Sequence, residues 1–139
     1  MKKKILLIDE NVLDYENDIN VLKTEYDVEA IGYIDTASYL LLEKKIKYDL
    51  IVLDIMMPTF GLFDLKETSD GLKTGLVFYE KKLKKLDLPV LFWSWNTAFE
   101  EEINAKNWTK TKFLLKDTEE KHLLEGVNNF LKELKKQWL

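Results

Sequence analysis

The sequence predicts a doubly wound α/β domain built on a parallel sheet. Three observations carry this reading: four short unbroken apolar runs, segments of helical period between them, and a polar residue at the end of each run. Apolar character that is continuous rather than alternating marks strands covered on both faces, the condition of a parallel sheet. In such folds the functional site lies at the carboxyl ends of the strands.

The elements follow in order. "KILLI" (4–8) is the first strand. The lysines before it resemble the start of a signal peptide, but the apolar stretch from Ile5 ends at Ile8 and is followed by Asp9 and Glu10. A helical pattern spans 11–25, and "VEAIGYI" (28–34) is a weaker fifth strand. A second helical pattern covers 36–47, ahead of the strand "DLIVLD" (49–54). "PTFGLFDLKETSDG" (58–71) is irregular and long enough to need a functional or conformational reason. Helical pattern resumes over 71–86, then come the strand "PVLFWS" (89–94), a helix over 97–107 and the strand "KFLLK" (112–116). The final helix, 118–137, brings Leu123, Val127, Phe130, Leu131 and Leu134 to one face, with Trp138 continuing the pattern.

At 139 residues the chain fits one domain, and its 46% hydrophobic and 33% charged residues are those of an ordinary globular protein. A net charge of −4 gives no electrostatic reason to expect nucleic acid as a partner. The absence of cysteine excludes disulfides and thiolate metal sites and agrees with a cytoplasmic location. No apolar segment approaches the ~20 residues that span a bilayer. The sequence shows no repeat and no low-complexity linker.

The strand ends deliver Asp9 and Glu10, Asp54, Ser94 and Lys116 toward a shared point. Three neighbouring carboxylates repel one another, and a hard divalent cation such as Mg2+ would neutralise them. Ser94 and Lys116 supply a hydroxyl donor and a fixed positive charge suited to phosphoryl oxygens. Asp54, ending a buried run, is then the natural nucleophile for an acyl-phosphate.

The ordered set "LLIDE", "DLIVLDIMMP", "DGLKTG", "PVLFWS" and "KFLLK" resembles the receiver domain of two-component response regulators over essentially the whole chain. The resemblance implies a flavodoxin-like three-layer sandwich, with five parallel strands in the order 2-1-3-4-5 and five helices. It implies that Asp54 is the phosphoacceptor and that Asp9, Glu10, Asp54 and the backbone carbonyl of Met56 bind Mg2+. Ser94 and Lys116 match the hydroxyl and lysine positions, and Phe113 the aromatic switch that moves with the hydroxyl on phosphorylation. The implied partners are a histidine kinase or phosphotransfer protein and a downstream protein contacted through the repacked surface. With no output domain after the last helix, the expectation is a stand-alone receiver in phosphorelay signalling, not an enzyme in the ordinary sense.

Three departures qualify this. The 59–70 loop is about ten residues longer than the common receiver pattern and either covers the phosphoryl group or presents a recognition surface. Trp95 stands where receivers usually carry a small residue, so an indole is expected to restrict access to the site. Asp117 replaces the usual proline after Lys116, which leaves the placement of that lysine open.

Plainer readings stand beside these. Asp9 and Glu10 suit a helix start, Ser94 suits a backbone hydrogen bond, and Phe113 suits the core. His122, alone in a charged helix, reads as surface. The lysine clusters at 81–85 and 132–136 read as solvated faces, Trp93 as core, and Trp108 and Trp138 as either packing or contact residues. The last helix either packs on the sheet or forms a homodimer face. A pseudo-receiver, an interaction module of the same fold not controlled by phosphate, is the main alternative function. A phosphatase of the haloacid dehalogenase type needs a second aspartate two residues after the first, where this chain has Met56. A dinucleotide site would need Gly-x-Gly-x-x-Gly after the first strand, which is missing.

Overall fold

The computed structural model describes residues 1–137. Five parallel strands, β1 (Lys4–Ile8), β2 (Asp27–Ile31), β3 (Leu50–Leu53), β4 (Val90–Ser94) and β5 (Thr111–Leu115), form one sheet in the order β2-β1-β3-β4-β5. The helices are α1 (Glu16–Lys23), α2 (Ile34–Ser38), α3 (Thr74–Phe78), α4 (Ala98–Ala105) and α5 (His122–Gln137). A 3-10 turn at Val12–Tyr15 leads into α1. Wider π-helical turns extend α2 over Tyr39–Glu43 and α3 over Tyr79–Leu83.

The unbroken apolar runs are explained by two cores, one on each face of the sheet. Leu6, Ile8, Ile51, Leu53 and Phe92 point to the side covered by α2, α3 and α4. Their neighbours Ile5, Leu7, Val52, Leu91 and Trp93 point to the side covered by α1 and α5, where they meet Ile19, Leu22, Leu123, Val127 and Phe130. Each fully buried Leu or Ile contributes roughly 1.5–3 kcal/mol, so neither face tolerates a one-residue slip.

The element boundaries differ from expectation where backbone geometry intervenes. β2 ends at Ile31, three residues before the predicted limit of 34, and Ile34 instead opens α2 as a fully buried helix residue. The last helix starts at His122, not 118, because residues 118–121 form turns. The third helix starts at Thr74, after turns at 71–73. Trp93 is core, as predicted, and Trp108 packs against Tyr79 and Phe92, with ring centroids 4.6 and 6.1 Å away. The apolar residues of α5 are buried or half-buried against the sheet, which is the packing use of that helix. Trp138 lies outside the described residues. No helix among the described residues is long and apolar enough to cross a membrane.

Candidate functional site

The sheet ladder continues one residue beyond three of the strands and thereby aligns the site. Asp9 N–H donates to the Ile31 carbonyl at 3.0 Å, Asp54 N–H to Ile8 at 2.9 Å and Lys116 N–H to Ser94 at 2.8 Å. The register pairs Ile8 with Leu53, so the next residues, Asp9 and Asp54, end adjacent strands side by side. The polar ends are brought together by strand pairing rather than by their own attraction.

Lys116 is the hub. It is 4% exposed, and its Nζ donates to Asp9 Oδ2 at 2.7 Å and lies 3.7 Å from Asp54 Oδ1. The ammonium also sits 4.3 Å from the Tyr15 ring centroid and 4.8 Å from that of Trp93, a cation–π cradle. Burial works against the charged form, but the carboxylates of Asp54 and Asp9 outweigh it and raise the Lys116 pKa. The lysine is thus held in the site although Asp117 follows it.

Asp54 is 5% exposed, and its Oδ1 accepts the Ile55 N–H at 2.8 Å. Burial first, then the negative charge of Asp9, push its pKa up to about 7, against the opposing pull of Lys116. Glu10 is exposed, with its pKa raised by partial burial and by Asp9. Asp9 is fully buried and spends its oxygens on Lys116 and on the Asn11 N–H at 2.9 Å. Among the described residues no group of three or more acidic or histidine side chains converges as a metal cage. Met56 is exposed on the loop after Asp54.

Ser94 is buried, and its Oγ accepts the Asn96 N–H at 3.2 Å, the backbone bond of the plainer reading. Phe113 is also buried, opposite Phe92 in the sheet register and within the core on the α2–α4 side. Trp95 is 54% exposed, and its Nε1 donates to the Tyr15 hydroxyl at 2.8 Å, joining the segments after β4 and β1. His122 is half-buried rather than fully at the surface, with Nε2 3.0 Å from the Leu115 carbonyl.

The long loop is folded against its surroundings. Phe63 is buried and meets Phe78 edge-on at 6.4 Å, Glu67 pairs with Lys81, and Phe60 meets Tyr33 at 5.1 Å. Its ends are closed by Met57 N–H to the Gly71 carbonyl at 3.1 Å, and by the Thr74 hydroxyl, which donates to the Met57 carbonyl. These anchors run to α3 and Tyr33 and leave Phe60 and Leu65 outward.

Two residues escaped the sequence reading. Tyr15 falls inside a helical pattern, with nothing in its spacing to connect it to Lys116. Gly75 lies within the quoted "DGLKTG", yet its reason is spatial. A Cβ there would stand 2.1 Å from the Asp54 backbone oxygen and 2.8 Å from Ile55 Cα.

No protein-family model matches the chain, and no curated protein matches it. Solved structures do. The N-terminal domain of a response regulator/sensory box/GGDEF three-domain protein from Carboxydothermus hydrogenoformans is 23% identical, with a TM-score of 0.69 over 99% of this chain and 100% of that one. The chemotaxis response regulator CheY4 of Vibrio cholerae is 19% identical, with a TM-score of 0.64 over 94% and 99%. A CheY-like receiver domain protein from Methanospirillum hungatei is 17% identical, with a TM-score of 0.64 over 99% of both chains. Together with the strand order, these likenesses establish that the chain has the fold of response-regulator receiver domains.

Proposed function

We propose that this chain is a signalling receiver that accepts a phosphoryl group on Asp54 and transmits the change through protein contacts. The observation that carries the proposal is the buried Asp54 carboxylate at the end of β3, 3.7 Å from the Lys116 ammonium and beside Asp9. Deprotonated Asp54 attacks phosphorus, the phosphorus–nitrogen bond of a partner's phosphohistidine breaks, and the imidazole leaves with the bonding pair. Lys116 is close enough to pair with a phosphoryl oxygen without a change of strand register. Ser94 and Phe113 would carry the response, Ser94 by exchanging the Asn96 N–H for the phosphoryl group and Phe113 by repacking beside Phe92.

Mg2+ fits the donor chemistry. Burial is the first cause of the raised Asp54 pKa, but Asp9 and Glu10 add negative charge beside it that a cation would relieve, and Mg2+ keeps several waters while using only one or two carboxylates. Asp54 and Glu10 would hold it, joined by the Met56 carbonyl that the family resemblance implies, with Asp9 engaged by Lys116. When bound, it would neutralise charge on the phosphoryl oxygens.

The test is incubation with acetyl phosphate and Mg2+, read by intact mass, together with beryllofluoride binding followed by tryptophan emission. Wild type should gain one phosphoryl group and Asp54→Asn none. A wild type that stays unmodified and silent to beryllofluoride would overturn the proposal. That result would favour the pseudo-receiver, a constitutive interaction module. One observation supports this second reading: Lys116 bonds Asp9 rather than Asp54.

A further inference from the structure

The ends of the extended α2 and α3 helices frame a half-open cavity of about 490 Å³, beside Tyr48 and Leu88, which precede β3 and β4. It therefore lies at the opposite end of the sheet from Asp54, and its volume falls within the range of small-molecule sites. Leu42, Ile46, Leu86 and Leu88 make an apolar lining. Around it stand Lys45, Lys47, Lys82 and Lys85, and no acid lines it. That exclusion is notable in a chain with 25 acidic residues, 21 basic ones and a net charge of −4.

Among the described residues, none of these four lysines takes part in an ion pair or a side-chain hydrogen bond. The lysines in ion pairs are Lys73, Lys81, Lys106, Lys110, Lys112 and Lys116, and Lys2 donates to the Lys23 carbonyl. Lysines do drape their stems over apolar surface with the ammonium in water. That habit alone gives no reason for four to gather at one cavity, since like charges at short range repel; the acids next to its lining are already engaged, Glu29 with the Tyr48 hydroxyl at 2.6 Å and Asp87 with Lys110 at 2.9 Å. The backbone is also unusual here. Both framing helices widen to π-helical turns on approaching the cavity. Such turns are frequent at functional sites.

We propose that this cavity binds a small amphipathic anion, an aliphatic carboxylate whose chain lies on the leucine and isoleucine lining and whose head sits among the lysines. Charge complementarity selects the head and the apolar lining selects the tail. The proposal does not depend on phosphorylation of Asp54.

Calorimetric titration of the full chain with sodium decanoate, below its micelle threshold, tests this. Saturable one-to-one binding is expected, with decan-1-ol and decyltrimethylammonium at least tenfold weaker and acetate undetectable. The double variant Lys82→Gln/Lys85→Gln should weaken decanoate at least tenfold while keeping the wild-type circular dichroism. Lys132→Gln/Lys135→Gln on α5 should leave binding unchanged. Absence of saturable binding, equal binding of the alcohol or the cation, or equal loss in the α5 variant would each overturn the proposal. Retention on phosphatidylglycerol vesicles without decanoate binding would overturn it in favour of a membrane surface.

Discussion

The indole N–H of Trp95 donates to the hydroxyl of Tyr15 at 2.8 Å, and the Tyr15 ring lies 4.3 Å from the Lys116 ammonium. The contact ties the segment after β4 to the segment after β1 beside the candidate phosphoacceptor. Tyr15→Phe removes the hydrogen-bond acceptor but keeps the ring under Lys116. This variant should lose less than about 1.5 kcal/mol of stability and react with acetyl phosphate several-fold faster than wild type. Stopped-flow tryptophan emission measures both the latch and the reaction. An unchanged rate would mean that Trp95 does not limit access.

Lys116 is enclosed by Asp9, Asp54, Tyr15 and Trp93. Its removal leaves two buried carboxylates facing each other, and breaking a buried pair from one side costs about 3–5 kcal/mol. Lys116→Met should therefore unfold at lower urea at pH 8. The loss should shrink at pH 5, where protonated Asp54 no longer repels Asp9. A loss independent of pH would place the cost in packing alone.

Asp54 gives a pH dependence of definite sign. Its pKa is raised from 3.8 to about 7 in the folded chain, so between these values the folded state binds more protons than the unfolded one. Stability from this group is full below about pH 4 and is lost as pH rises through 7. Asp54→Asn removes the loss. In chelator, its advantage over wild type should be small at pH 4.5 and grow to about 2–4 kcal/mol at pH 8. Urea melts at a series of pH values measure it, and an advantage that falls with pH would contradict the assigned burial and repulsion.

Gly75 lets α3 approach the backbone of Asp54. With a Cβ 2.1 Å from a carbonyl oxygen, the helix start or the strand end must move. Gly75→Ala should cost about 1–3 kcal/mol and slow the reaction of Asp54 with acetyl phosphate. Thermal melts and intact mass report the two effects separately. A variant with wild-type stability would show that this junction yields freely.

The sequence by itself determined the layered fold. The interiors of runs such as "KILLI" and "DLIVLD" are continuously apolar because successive residues face opposite cores, and runs this short between helical patterns fit a sheet covered on both sides. It also determined which residues stand at the strand ends, because the register of those cores leaves one alignment for Asp9, Asp54, Ser94 and Lys116. Tertiary structure alone decided the partnerships. Whether Lys116 bonds Asp9 or Asp54, whether Trp95 meets Tyr15, and whether "VEAIGYI" ends at Ile31 or Ile34 depend on contacts between residues far apart in sequence or on local backbone turns. Periodicity reports which face of an element is apolar, not what is packed against it. The lysines at 82 and 85 show the same division: composition read them as a solvated face, and only the packing of α2 beside α3 set them around a cavity.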